Sequence, residues 1–221
     1  MKPSKIRHFW EWFERHHQTF LDFESLTRTE RQYWLAELDG HLAVYNRFLM
    51  PLLEWDTIHS TQKCQLTITA VGRSRSFAMV DKLMKQAPKL RNWEMTALEP
   101  AAGFDETAAG MLQQLNASVG KLWFDVRDMD ARGKDLLFVF AEGDADIDYD
   151  HHFEIDELVY RILGEKVYGT CFGGIRLEAY ESLVEEEQSY LVPLEQLPEY
   201  VKRRHVPGMT VTKGGRLQRK A

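Results

Sequence analysis

Residues 136–140, Leu-Leu-Phe-Val-Phe, form a continuous apolar run that lies between turn signals. A short run of this kind is typical of a strand that is buried on both faces, because a half-exposed strand alternates apolar with polar residues. The chain is therefore expected to build a sheet with this segment in its interior. The strand is predicted to end at Gly143.

The densest charge of the chain follows this strand directly. Eight carboxylates lie between Glu142 and Glu157, with His151 and His152 among them and no Lys or Arg. The eight are Glu142, Asp144, Asp146, Asp148, Asp150, Glu154, Asp156 and Glu157. No basic residue within the run neutralises this charge, so we name residues 142–157 the acidic run.

A helix is predicted to begin inside the acidic run. Apolar residues recur at helical spacings from Phe153 onward, which is typical of a helix. These residues are Phe153, Leu158, Ile162 and Leu163. The macrodipole of a helix favours carboxylates near its N-terminus, so the charge and the helix are compatible.

The composition is that of a globular protein with a mild acidic excess. Apolar residues make up 44% of the 221 residues, the formal net charge is −6 and the isoelectric point is near 5.8. Nucleic-acid-binding domains usually carry a basic footprint, so this balance argues against nucleic acid as the partner of the main body. Cys64 and Cys171 lack the spacing of a zinc site and are expected to be reduced thiols.

No membrane segment is predicted. Residues 1–12 carry charges and lack the apolar core of a secretory signal, and no window approaches the roughly twenty apolar residues of a membrane span. We therefore expect a cytoplasmic protein without a membrane partner.

The first 50 residues are expected to form a pair of helices. In residues 6–20 the apolar positions are almost entirely aromatic, which predicts an amphipathic helix whose rings cover one side of the core. The capping pattern of Thr29 and Gln32 predicts the start of a second helix, which is expected to end before Pro51. The rings of the first helix are Phe9, Trp10, Trp12, Phe13 and Phe20.

After Pro51 the pattern changes to strands separated by helices. Two-residue alternation predicts strands, and steps of three and four residues predict helices. Residues 101–120 permit a short helix, but also the extension of a strand or an irregular segment. Strands are expected at 53–58, 63–71, 93–98, 121–126, 135–140 and 175–180, with one helix at 77–86 and another from the acidic run onward.

This order favours an α+β fold with a mixed, largely antiparallel sheet and helices packed on one side. Residues 53–98 and 121–180 each give strand, strand, helix, strand, so the pattern allows a duplicated unit. We expect one domain over residues 1–200, composed of the helical part at 1–50 and a sheet part at 51–200.

The last 21 residues, 201–221, form a basic tail that contains no acid. Glycines within it predict a flexible segment or one that docks on a partner. Its charge makes RNA or an acidic protein a minor candidate partner for the tail alone.

The acidic run contains a spacing that resembles a calcium loop. Asp146, Asp148, Asp150 and Glu157 occupy positions one, three, five and twelve of a twelve-residue loop and offer the oxygen ligands that calcium takes. Two features disagree with the pattern: His151 stands at position six, where the sharp turn uses Gly, and a strand precedes the loop. The sequence favours an acidic helix start with no cofactor, and a divalent cation such as calcium is the alternative.

Two functions fit the acidic run. An acidic face beside a rigid strand attracts a basic partner, so the leading hypothesis is a non-enzymatic protein of inhibitor or immunity type that binds another protein. The alternative is a metal-assisted hydrolase that uses the same carboxylates with His151 or His152. The candidate binding residues are Asp144, Asp146, Asp148, Asp150, His152, Glu154 and Glu157.

The sequence assigns no catalytic residue. No serine lies in a Gly-x-Ser-x-Gly elbow and no His-Glu-x-x-His motif is present. His152 and Asp156 have the four-residue spacing of neighbours on a helix face, which predicts a surface pair more readily than an acid and base in catalysis.

The aromatic opening also carries a resemblance. Phe9-Trp10-x-Trp12-Phe13, followed by Ala87-Pro88-x-Leu90-x-x-Trp93, resembles a pattern of uncharacterised bacterial proteins of similar size. The similarity covers the first half of the chain. It implies a bacterial cytosolic setting and no particular activity.

Overall fold

A computed structural model of the protein describes residues 5–56, 63–127, 133–143, 148–204, 209–211 and 217–219. Backbone contacts divide the chain into two compact units, residues 1–100 and 101–221, and each unit has its own hydrophobic core. The division falls inside the single domain that the sequence predicts for residues 1–200.

The first unit packs helices against a three-stranded sheet. Its strand β2 lies in the middle, antiparallel to β1 and parallel to β3, and helix α3 supplies the crossover that a parallel pair requires. The residues between the predicted strands 53–58 and 63–71 lie outside the described residues. The elements are helices α1 (Lys5–Leu21), α2 (Arg28–Ala43) and α3 (Ser74–Met84) and strands β1 (Met50–Asp56), β2 (Lys63–Thr69) and β3 (Trp93–Ala97).

The aromatic face of α1 forms the core of this unit, as predicted. All five of its predicted rings are buried, and neighbouring rings meet edge to face or stacked. The indole N–H of Trp10 donates to the Leu83 carbonyl at 2.8 Å, which satisfies the polar atom of a buried tryptophan. Burial of these rings against α3 and the sheet therefore fixes α1 in place.

The predicted second helix differs at both ends from the observed α2. Its capping box is formed by Thr27 and Glu30, whose carboxylate also accepts the Thr27 backbone N–H at 2.9 Å, and not by Thr29 and Gln32. The helix ends at Ala43. Pro51 lies inside β1 instead, where it is tolerated because β1 is an edge strand of the sheet.

The second unit is built around a four-stranded sheet with the order β6-β5-β4-β7. The ambiguous residues 101–120 contain a regular helix, α4, which Asp105 caps by accepting the Ala108 N–H at 2.8 Å. The three glutamates at residues 185–187 belong to a short exposed helix. The helices are α4 (Glu106–Val119), α5 (Tyr149–Cys171), α6 (Glu185–Gln188) and α7 (Leu197–Arg204), and the strands are β4 (Leu122–Arg127), β5 (Asp135–Ala141), β6 (Phe172–Ala179), β7 (Val192–Pro193), β8 (Met209–Val211) and β9 (Leu217–Arg219).

The start of the predicted basic tail belongs to this folded unit. Helix α7 runs to Arg204, whose guanidinium donates to the buried Asp135 at 2.9 Å and to the Tyr200 hydroxyl at 3.0 Å. Farther along, β8 pairs with β9 in an antiparallel ribbon. The first four residues of the predicted basic tail, 201–204, are therefore helical.

The buried strand predicted at residues 136–140 is confirmed as β5. It is antiparallel to β4 and parallel to β6, with α5 as the crossover. This connectivity repeats that of β1, β2, α3 and β3 in the first unit, as the predicted duplication requires. The α+β class with mixed sheets is thereby confirmed.

Helix α5 is bent and is tied to α4. Its path breaks at Gly164, which has a φ of 72° and a ψ of 157°, and the helix then resumes as far as Cys171. The guanidinium of Arg161 donates to the Asp105 carboxylate at 2.6 Å, which joins the middle of α5 to the cap of α4. The two helices therefore hold a fixed position beside each other.

A close backbone contact brings the end of α4 next to the end of β5. A methyl group placed on Gly120 would lie 2.7 Å from the Gly143 nitrogen, and one on Gly143 would lie 2.6 Å from the Val119 carbonyl oxygen. Gly120 also has a φ of 77°, which favours glycine. This approach places Ser118 near the point where the acidic run leaves the sheet.

We expect Gly143→Ala to destabilise the second unit by roughly 1–3 kcal/mol, because the added methyl group must push backbone atoms apart. Gly110→Ala is the matched control, since no atom lies within 4 Å of the added methyl group and alanine favours a helix interior. Urea denaturation of the two variants measures the difference. Equal stability of the Gly143 variant and the parent would contradict the close contact.

Candidate functional site

The start of α5 carries the described part of the acidic run. Asp148 is the N-cap residue, and its carboxylate accepts the backbone N–H of His151 at 3.0 Å. The predicted helix start inside the acidic run is therefore confirmed. Asp144 and Asp146, two of the predicted binding residues, lie outside the described residues.

His151 is held between a carboxylate and a hydroxyl. Its Nδ1 lies 2.8 Å from Asp148 Oδ1, and its Nε2 lies 2.7 Å from Ser118 Oγ. The imidazole is mostly shielded, with 18% of the side chain exposed, whereas Ser118 is exposed at the end of α4. A carboxylate, an imidazole and a hydroxyl thus lie in one row of close contacts.

The hydrogen bond at Nδ1 decides the tautomer of His151. The Asp148 backbone N–H donates to Nδ1 at 3.4 Å, which completes a capping box and requires an unprotonated Nδ1. The neutral imidazole therefore carries its proton on Nε2, which donates to the Ser118 hydroxyl oxygen at 2.7 Å. The 2.8 Å approach of Nδ1 to the Asp148 carboxylate is an ion pair only when the imidazole is protonated.

The surroundings of Asp148 favour its ionised form. Hydrogen bonding of the His151 backbone N–H to the carboxylate lowers the pKa of Asp148, and the charge of the His151 side chain acts in the same direction. The N-terminus of α5 favours the same ionised form. Asp148 is therefore a carboxylate at neutral pH.

His152 and Asp156 have different partners from those predicted. His152 Nε2 lies 3.3 Å from the Ile175 carbonyl oxygen, on the neighbouring strand β6. The Asp156 carboxylate accepts the hydroxyl of Tyr168 at 2.6 Å, and burial followed by this hydrogen bond raises the pKa of Tyr168. The spacing of the two residues was compatible with a pair, but the bend of α5 brings Tyr168 to Asp156.

Two large aromatic side chains project from the same helix start. Tyr149 is 82% exposed and Phe153, one helical turn later, is 60% exposed. Phe153 belongs to the spacing that predicts the helix, but Ile155, Leu158 and Val159 form the buried face of α5. Four exposed carboxylates lie on the same turns: Asp148, Asp150, Glu154 and Glu157.

The backbone of this segment is helical rather than a calcium loop. Residues 149–157 belong to α5, so Glu157 lies about 13 Å along the helix axis from Asp148. Among the described residues, no three His, Cys, Asp or Glu side chains are grouped so that they could hold a metal ion. With Asp146 outside the described residues, the metal set of Asp146, Asp148, Asp150 and Glu157 stays a prediction.

Sequence reasoning missed Ser118 and the exposure of Phe153. Ser118 lies 33 residues before His151, in the segment whose structure the sequence left ambiguous, and no motif relates the two. Phe153 has a spacing that fits the buried face, and only the surrounding carboxylates indicated solvent.

Comparison of the chain with protein-family models, with curated proteins and with solved structures finds no match. The resemblance to uncharacterised bacterial proteins therefore stays a prediction. In the part of the chain that the structure describes, no helix has the length and apolar character needed to cross a membrane.

We expect acid to weaken the α5 cap through Asp148. Because the pKa of its carboxyl is lower in the folded protein, the carboxylate stabilises the fold above its ordinary pKa of about 3.9. This contribution is lost as the pH falls through the lower folded-state pKa. Asp148→Asn keeps a good N-cap but cannot titrate, so its stability deficit relative to the parent should shrink between about pH 6 and about pH 3.

Urea denaturation at several pH values measures that deficit. Glu154→Gln is the matched control, since it removes an exposed carboxylate of the same helix without changing the cap. A deficit of Asp148→Asn that stays constant over the whole pH range would contradict the role of the ionised cap.

Proposed function

We propose that the protein binds a basic partner protein through the start of α5 and acts as a regulator of inhibitor or immunity type. We define the α5 start surface by the exposed residues Asp148, Tyr149, Asp150, Phe153, Glu154 and Glu157. The observation that carries the proposal is the exposure of two aromatic rings among these carboxylates. We also propose that the protein is bacterial and cytosolic, as the sequence predicts.

The two rings supply binding energy that a charged surface alone lacks. Association energy is concentrated in a few residues, among which Tyr and Trp are enriched, and large exposed aromatic side chains are costly in water unless a partner covers them. Tyr149 and Phe153 are one turn apart on the same helix, so one partner segment can cover both rings. We infer that they are the anchors of the interface.

The carboxylates around the rings select a partner whose surface is positively charged. The acidic run contains no Lys or Arg, and of its described carboxylates Asp148, Asp150, Glu154 and Glu157 are exposed on α5. Such a field accelerates encounter with a basic protein and repels an acidic one. Arg and Lys side chains of the partner can also pack over the two rings as cation–π pairs.

The surface is supported from behind by a rigid element. Ile155, Leu158 and Val159 are fully buried on the opposite side of the same helix turns. The pair of Arg161 and Asp105 fixes α5 to α4, and Asp148 fixes the first turn. A helix start that does not reorganise on binding costs less conformational entropy than a loop would.

A photo-crosslinking amino acid placed at position 149 or 153 tests the surface in cells. We expect both positions to capture the same basic protein. Position 190 is the matched control, because Tyr190 is 73% exposed but lies outside the α5 start surface. Capture of that protein equally well from position 190 would contradict the proposed interface.

With the purified partner, we expect Tyr149→Ala and Phe153→Ala each to weaken binding by about 30-fold, the cost of losing a central anchor. Neither change should lower the melting temperature markedly, since both rings are exposed in the free protein. The double change Asp150→Asn, Glu154→Gln should mainly slow association and reduce its dependence on salt. Binding that is insensitive to salt and to all of these changes would rule out this surface.

A further inference from the structure

We propose that His41 is a pH-sensitive switch in the first unit, and that helix α2 separates from α1 when the imidazole of His41 takes up a proton. Four aromatic rings form a continuous contact between the two helices, in the order Trp34, His16, Trp12 and His41. We name these four residues the ring row. The switch is separate from the α5 start surface, which belongs to the second unit.

The ring row joins α1 and α2 through their side chains. Trp34 and His41 belong to α2, and Trp12 and His16 belong to α1. The ring centroids of His41 and Trp12 are 4.2 Å apart, with an angle of 31° between the ring planes. The His16 ring lies 5.3 Å from the Trp12 ring and 5.0 Å from the Trp34 ring. Trp12 is buried, so His41 packs against a ring that is withdrawn from water.

Helix α2 has few other contacts with the core. Leu38 and Leu42 are the only buried residues among its 16. A helix with so few buried side chains belongs to the parts of a fold that open at low cost, before the whole unit unfolds. The ring row is therefore a main contact of α2, and a charge introduced into one of its rings can release the helix.

The surroundings of His41 disfavour its charged form. Partial burial lowers the pKa of His41, because the imidazolium loses hydration. The carboxylate of Glu37, one helical turn earlier on α2, raises this pKa, whereas the positive charges of His16 and Arg15 on α1 lower it. Strand β1 also packs against α2, but no charged group of its described residues acts on His41. The net effect is a lowered pKa, so the closed arrangement of the helices favours the neutral ring.

Proton linkage gives the direction of the switch. When α2 is released, His41 lies in water and has the ordinary histidine pKa of about 6.5. The closed form takes up the same proton only at lower pH. The closed form is therefore favoured above about pH 6.5 and loses stability as the pH falls from there toward the lower pKa of the closed form. Mild acid thus shifts the population toward the released form.

Hydrogen exchange, measured by peptide mass spectrometry at about pH 7.5 and about pH 5, tests the release on both sides of the ordinary histidine pKa. Dividing each exchange rate by the intrinsic rate at the same pH gives the opening equilibrium of each helix. We expect the opening of α2 to increase about threefold or more in acid, while α3, which contains no histidine, stays unchanged. Micromolar protein keeps the chain in solution near its isoelectric point of 5.8.

His41→Phe keeps a ring against Trp12 but cannot titrate, so the opening of α2 in this variant should not depend on pH. His8→Gln is the matched control, because His8 is an exposed histidine of α1 that lies outside the ring row. This control should respond to acid as the parent does. Thermal melts at neutral pH check that both variants fold.

Two charge variants separate a titrating switch from a merely structural contact. Glu37→Gln removes the carboxylate that favours the charged ring and should increase the opening of α2 in acid. Arg15→Gln removes a positive charge that disfavours it and should decrease the opening. The proposal is overturned if α2 of the parent opens equally or less in acid, if His41→Phe keeps the pH response of the parent, or if α2 and α3 open together.

Discussion

The hydrogen bonding of β5 on both of its edges determines the layout of the second unit. β4 pairs with it antiparallel and β6 pairs with it parallel, so the chain must cross from one end of the sheet to the other after Ala141. Helix α5 makes that crossing, and its buried residues cover the face that carries Leu137 and Val139. The start of α5 therefore lies at the rim of the sheet, where the carboxylates of Asp148, Asp150, Glu154 and Glu157 are exposed to water.

The core elements could be predicted from periodicity, because side chains that point to the same face of a helix or strand are buried together. The aromatic face of α1 and the apolar run of β5 were both recognisable, since no other arrangement removes those side chains from water. Helix ends were harder to predict. Thr27 with Glu30 and Thr29 with Gln32 are overlapping capping patterns, and Pro51 ends a helix or occupies an edge strand depending on its neighbours.

Only those parts of the candidate site whose residues are close together in the sequence could be predicted. The N-cap and the carboxylates of α5 lie close together in sequence, so charge and spacing identified the region. The partner of His151 was not identifiable, because Ser118 reaches it only through the approach of Gly120 to Gly143. Phe153 could not be placed for a different reason. Helical spacing shows on which side of the helix a residue lies, but tertiary packing decides how much of that side is buried.

The two units share a connectivity but differ where the central strand passes into its crossover helix. In the first unit residues 70–73 link β2 to α3, with Val71 and Gly72 at positive φ and Arg73 at the helix start. In the second unit the longer link of residues 142–148 ends in a capping aspartate. The repeated topology thus provides two helix starts, and the longer link gives only the second a row of carboxylate, imidazole and hydroxyl. Function is therefore to be sought in this link and not in the fold that the units have in common.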